Sequence, residues 1–299
     1  MPKVFSLLLL AILAGGAAAA ELVAEAAEAA EAVAAEDVAD VAAGDDGVAV
    51  TNWTEGYIEV TAVGTANLAL AQSKAHALSQ AEETARALAY RKLAERVYGV
   101  RVNSRVTVAG AVATDDQLVT VTAGLIRDAH EVKVTHEELD DGSILCAVTL
   151  AMPMTTARGL AAIAARVPPD GAPAYVPANP GAAASDYTGV IIDATGLAAD
   201  PALCPTLLTE DGRVVYGAGT LGPERVSTLG VASYAKTLAQ AREKGAGKKP
   251  LVIQALKAVG EYACDLVLPK DLVDILFSLQ NRDELLDGGR LVILTRGLQ

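Results

Sequence analysis

Residues 83–108, "ETARALAYRKLAERVYGVRVNSRVTV", change character at a single glycine. Before Gly99 the stretch is charged and alanine-rich with a helical period; after it, β-branched residues alternate. Leu78, Ala81, Ala85, Leu88, Leu93 and Val97 recur at spacings of three to five, while Glu82, Arg86, Lys92 and Arg96 lie largely off that stripe. This predicts an amphipathic helix over 67–98, ended by a glycine just past the last turn. "VRVNSRVTV" then predicts a strand. Upstream, "GYIEVTAVG" alternates Ile58, Val60 and Ala62 with Tyr57, Glu59 and Thr61, as a half-buried strand does. Downstream, "QLVTVTAGLIRDA" is apolar and reads as a short helix. "HEVKVTHEELDDGSILCAVTLAMP" reads as a hairpin turning at Asp140-Asp141-Gly142.

Five of the twelve prolines fall in 166–187, a density that resists both helix and sheet and predicts a linker. Beyond it, "YTGVIIDATGL" predicts a buried strand and "LLTEDGRVVYG" a hairpin about Asp211-Gly212. Residues 223–242 read as helical, "PLVIQALKAVGEYACDLVLP" as two strands, 270–280 as a helix, and "RLVILTR" as a closing strand after Gly288-Gly289. The expected organisation is a signal peptide (1–20), an Ala/Glu-rich spacer (21–50), an α+β domain (51–165), the Pro-rich linker (166–187) and a second α+β domain (188–299). Both domains are expected to be small α/β sandwiches with mainly antiparallel sheets.

The formal charge of −13 is largely local. Nine of the 37 acids lie in 21–47 with no base among them, which leaves 28 acids against 24 bases. No basic face for nucleic acid stands out. Like charges at helical spacing without partner bases make 21–47 a frayed helix or a spacer. At the amino terminus Lys3, the apolar run 4–13 and Ala18-Ala19-Ala20 have the layout of a secretory signal cleaved near Ala20. No later run of about 20 apolar residues predicts a membrane span after signal removal. The expected location is therefore the periplasm. Of the three cysteines, Cys146 falls in a strand, and Cys204 and Cys264 fall in one domain, where they could form a disulfide in an oxidising compartment.

Three motifs imitate functional sites. Gly217, Gly219 and Gly222 fit GxGxxG, but the strand before them reads as the second arm of a hairpin rather than the first strand of a βαβ unit. Pro223 gives a simpler account, a loop followed by a helix start. "REKGAGKKP" imitates a phosphate loop, yet Arg242 stands where a glycine is needed and Lys249 where Ser or Thr is. His130 and His136 share a strand face, but six positions along a strand separate them by roughly 20 Å, too far for one ion. His76 has no evident triad partners. No catalytic residue, cofactor site or metal site is expected.

The first domain resembles the "LPP twenty" lipoprotein family, a bacterial group related to the flagellar envelope protein FlgP and the amino-terminal domain of FlgT. The resemblance rests on the order strand, long helix, hairpin. It is carried by Ala77, Ala81, Ala85 and Leu88, then Gly99-Val100, then Ile126, Ala129, Val132, Asp141-Gly142, Val148 and Leu150. It covers about a hundred residues. It implies a non-enzymatic envelope protein, periplasmic and peripheral to the outer membrane, that self-associates and meets other envelope or flagellar proteins. No cysteine follows the apolar leader, so the family's acyl anchor lacks its acceptor here. The alternative expectation is a periplasmic binding module that takes a small ligand, glycan or peptide through the carboxy-terminal domain. Its motive is the loop glycines and acids of 193–222.

Overall fold

Ser73 caps the long helix: its side chain accepts a hydrogen bond from the backbone N–H of His76 at 3.2 Å. The computed structural model describes residues 47–298 apart from 157–158, 170, 179 and 182. The expected signal, its cleavage site and nearly all of the acidic spacer lie outside the described residues. Helix α1 spans Lys74–Tyr98. It starts later than the periodicity suggests because Asn67 makes a local turn, its Oδ1 accepting the N–H of Ala69.

The chain forms two units, each assembled from separate stretches. The first holds 47–50, Ile58–Gly99 and Val108–Met152. Its strands β1 (Ala49–Asn52), β2 (Tyr57–Asn67), β3 (His130–Glu138) and β4 (Ser143–Pro153) form a sheet in the order β1-β2-β4-β3. β4 alternates between buried and half-buried positions along its whole length, and β2 does so from Tyr57 to Gly64. Ile58, Val60, Ile144, Val148 and Leu150 are buried, as are Ala77, Ala81, Ala85, Ala89, Leu93 and Val97 of α1. The buried stripe is thus alanine at every fourth position, with Leu78 and Leu88 at its flank. Gly64 explains the preference for small residues: a Cβ there would stand 2.3 Å from the Ala81 carbonyl oxygen. Two helices, α2 (Val108–Thr114) and α3 (Asp116–Arg127), complete this unit. β3 and β4 form the expected antiparallel hairpin, with Gly142 at φ 75° in its turn.

The expected strand 100–108 is absent. Residues Val100–Thr107 belong to the second unit and make one isolated bridge, Arg101 to Thr107. Val100 and Val102 are buried, as the alternation required, but Asn103 folds the segment back on itself. Its Oδ1 accepts the N–H groups of Arg105 and Val106, both at 2.9 Å. Val108 then begins a helix.

The second unit also holds Thr51–Tyr57 and 153–298. Its strands and helices run α4 (Ala161–Ala164), β5 (Gly189–Asp193), β6 (Leu207–Thr209), β7 (Val214–Tyr216), α5 (Ala218–Leu221), α6 (Pro223–Leu229), β8 (Ser233–Ala235), α7 (Leu238–Ala241), β9 (Pro250–Gln254), β10 (Lys257–Val259), β11 (Asp265–Leu268), α8 (Lys270–Ser278), α9 (Arg282–Leu286) and β12 (Leu291–Leu294). The sheet β10-β11-β6-β7 has antiparallel hairpins at both ends and a parallel pair, β11 with β6, between them. The sheet β8-β12-β5-β9 is parallel throughout. The fold class is α+β, with antiparallel hairpins in both units and one wholly parallel sheet in the second.

Two further expectations change. The helix expected over 223–242 breaks at Gly230, whose φ of 69° favours glycine, and residues 233–235 form edge strand β8. The Pro-rich stretch 166–187 lies within the second unit. Tyr175 is buried, its ring meets Phe277 edge-on at 5.2 Å, and Ala174 and Ala183 bridge to Val214 and Leu279. Proline there limits regular pairing without preventing packing.

Candidate functional site

The buried carboxylate Asp265 holds the inserted segment 100–107 in place. Its Oδ2 accepts the Ser104 hydroxyl and its Oδ1 accepts the Thr206 N–H at 2.8 Å. Backbone N–H groups of Leu203 and Cys204 donate to the carbonyls of Arg101 and Val102, and Arg101 pairs with Asp200 at 3.0 Å. Every group in this cluster has a protein partner, which marks it as an anchor rather than a reacting centre.

A cleft of about 470 Å³ lies beside edge strand β8 in the second unit. Trp53, the one tryptophan of the chain, meets the Tyr234 ring edge-on at 5.6 Å. Tyr234 is fixed from behind: its hydroxyl donates to the Ala202 carbonyl at 2.8 Å and accepts the Ala202 N–H at 3.0 Å. Burial pushes this phenol well above the ordinary tyrosine range, so it stays neutral. The floor is apolar, with Met154, Leu203 and Val226 among its lining. The rim is charged. Lys244 Nζ lies 3.0 Å from Glu55 Oε1, the lysine side chain 22% exposed and the glutamate 57%. Glu243 lines the same cleft.

A smaller hollow of about 230 Å³ lies at Gly217–Thr220, the GxGxxG stretch. The strand before it, β7, is the second arm of the β6–β7 hairpin, as expected. Pro169 fills the space over Gly219, where a Cβ would meet its ring at 3.1 Å. The phosphate-loop imitation forms a wide turn over Arg242–Ala246, with Gly245 at φ 125°. Its Lys249 is spent on Asp186.

His130 is exposed at one end of β3, while His136 Nε2 lies 3.4 Å from Glu82 Oε2. Among the described residues no cluster of three or more His, Cys, Asp or Glu is placed to hold a metal ion. His76 sits in the first turn of α1. The possible disulfide between Cys204 and Cys264 is not formed. Both are buried free thiols, and burial pushes each up to about 12. Cys146 is also a buried free thiol.

Sequence reasoning missed the cleft because its lining comes from stretches far apart in the chain, at 53–56, 154–164, 202–203 and 226–245. The usable signal was the lone tryptophan, flanked by Asn52 and Thr54 where an apolar core residue would be out of place. Among the described residues no helix is long and apolar enough to cross a membrane.

Residues 189–297 match a family model described as Treponema pallidum Tp0624, second domain. The match begins at the first residue of β5 and ends three residues past β12, so it spans both sheets of the second unit. It includes Tyr234 and Lys244 of the cleft but neither Trp53 nor Glu55. No curated protein matches the chain.

Proposed function

We propose that this is a non-enzymatic, exported protein of the bacterial envelope with a structural or assembly role, associating through edge strand β1 with copies of itself and with envelope or flagellar partners. The support is a contrast between the two edges of the first sheet. β3 is exposed along nearly its whole length but carries Glu131, Lys133, Glu137 and Glu138, with a register shift between Glu131 and Lys133. Charge and irregularity of this kind blunt an edge against pairing. β1 has neither device. Its surroundings, 47–52, read "GVAVTN", and Val48 and Val50 are 59% and 43% exposed. An uncharged edge with outward valines is a template for another strand.

The test is the solution mass of the chain from Glu21 onward, by size-exclusion chromatography with light scattering. A defined species above the monomer is expected, and Val50→Lys should return it to monomer while Thr135→Lys on β3 leaves it assembled. A monomer at every concentration, with no mass gained on mixing with envelope extract, overturns the reading. A second reading, a periplasmic binding module, is favoured by the cleft beside β8.

A further inference from the structure

We infer that the cleft beside β8 is a binding site for a short zwitterionic peptide with an apolar side chain, held by the Glu55–Lys244 pair at its rim and Trp53 at its wall. This rests on the binding-module reading and is independent of assembly through β1.

The charges carry the inference furthest. A carboxylate and an ammonium 3.0 Å apart at the mouth of a cleft present one charge of each sign within the reach of a peptide's own charged ends. A ligand with an ammonium group and a carboxylate can exchange this internal pair for two charge-assisted bonds, ammonium to Glu55 and carboxylate to Lys244. Glu243 on the same rim adds a second carboxylate and favours the ammonium end. Such an exchange asks little of Glu55, which is more than half exposed, and leaves the less exposed Lys244 with a carboxylate partner throughout.

The apolar side of the site asks for a side chain. Trp53 stands edge-on to a tyrosine that is itself locked by two bonds to Ala202, so one wall is rigid before any ligand arrives. Met154 is adaptable and Leu229, 59% exposed at the opening, is a large apolar group that no protein neighbour covers well. A volume of about 470 Å³ suits a ligand of small-molecule size. β8 is the end strand of its sheet, so a main chain lying in the cleft runs past a strand edge with one side already paired to β12. A free monosaccharide would use the aromatic wall but would leave the rim charges paired only with each other, as would a purely apolar ligand.

Trp53 supplies the readout, being the one tryptophan in the chain. Titration of the full chain with leucyl-alanine and leucyl-leucine, followed by tryptophan emission and by calorimetry, should give a saturable change. N-acetyl-leucyl-leucine, which lacks the ammonium, should bind at least about tenfold more weakly, as should either dipeptide to Glu55→Gln. Lys244→Gln should weaken the dipeptides and restore part of the affinity for a dipeptide amide relative to the parent dipeptide. Glu55→Gln keeps the side chain's shape, and circular dichroism identical to the parent shows that both variants fold. No heat and no emission change at millimolar dipeptide overturns the proposal. So does binding that neither substitution weakens, since the ligand would then sit elsewhere. Light scattering of the same samples separates the two readings: assembly unchanged by dipeptide, with binding present, leaves both standing, whereas assembly without binding removes only this one.

Discussion

The sheet of the first unit and the parallel sheet of the second bury their strands in different ways. β2 and β4 alternate, one side chain under α1 and the next half in water. β12 is buried at all four positions and β5 at four of five. An antiparallel sheet with one covered face writes period two into its sequence, whereas a parallel sheet covered on both faces writes an unbroken apolar run. The core of the second sheet accordingly gathers Ile191, Val292 and Leu294 with Ala235 of β8, Ala241 of α7 and Ala246 of the wide turn that follows it.

The largest expected effect tests that difference directly. Ile191→Ala, at a position with no exposure, should cost about 2–5 kcal/mol, the range for emptying a packed site. Leu145→Ala, on the half-buried outer face of β4, should cost less than about 1.5 kcal/mol because water already reaches it. Urea unfolding midpoints compare the two. Equal costs would mean that the outer face of the first sheet is as closely packed as the second core, and the contrast would fail.

A smaller effect sharpens the account of the first unit. Gly64 is where α1 comes nearest to β2, and an added Cβ would stand 2.4 Å from the Ala85 nitrogen as well as 2.3 Å from the Ala81 oxygen. Both are backbone atoms that cannot swing aside. Gly64→Ala should therefore destabilise by about 1–3 kcal/mol, the usual penalty for overpacking, although alanine suits a strand better than glycine does. Gly142→Ala, at a turn where a Cβ meets nothing, tests φ strain alone and should cost less.

The same contrast explains which parts of the molecule were legible. The β3–β4 hairpin, β2, β5, the β6–β7 hairpin and β12 are readable because alternation, Asp-Gly turns or a bounded apolar run mark them locally. The parallel order β8-β12-β5-β9 is not, because an apolar run says that a strand is buried and not which strand lies beside it. β8 is three residues long and carries no period. Residues 100–107 mislead for a different reason. Val100 and Val102 do face a core, but it belongs to the second unit, and Ser104 reaches an Asp265 that is 161 positions away. The candidate site fails to show for the same reason: Trp53 and Tyr234 touch across a separation that no spacing motif records.

The smallest effect concerns how β3 is held to α1. The apolar stripe serves β2 and β4, and β3 is attached instead by charge. Arg86 bonds Glu82 at 2.6 Å and Glu131 at 3.1 Å, and Lys74 pairs with Glu138. The bond from Arg86 holds the Glu82 carboxyl below its ordinary value, with His136 a lesser contributor. A carboxylate whose folded-state value is depressed lends stability at pH values above its unfolded value, and that contribution fades as pH falls through the folded one. The first unit should therefore lose a small increment of stability below the ordinary carboxylate range. Exposed pairs of this kind are worth about 0.2–1 kcal/mol, and salt should weaken them. Glu82→Gln should flatten that part of the pH profile, measured by urea titration in acid, and the flattening should be larger at low ionic strength. An unchanged profile would mean that the Glu82 carboxylate, between Arg86 on α1 and His136 on β3, adds nothing to the attachment, which would then rest on Arg86–Glu131, Lys74–Glu138 and the ladder to β4.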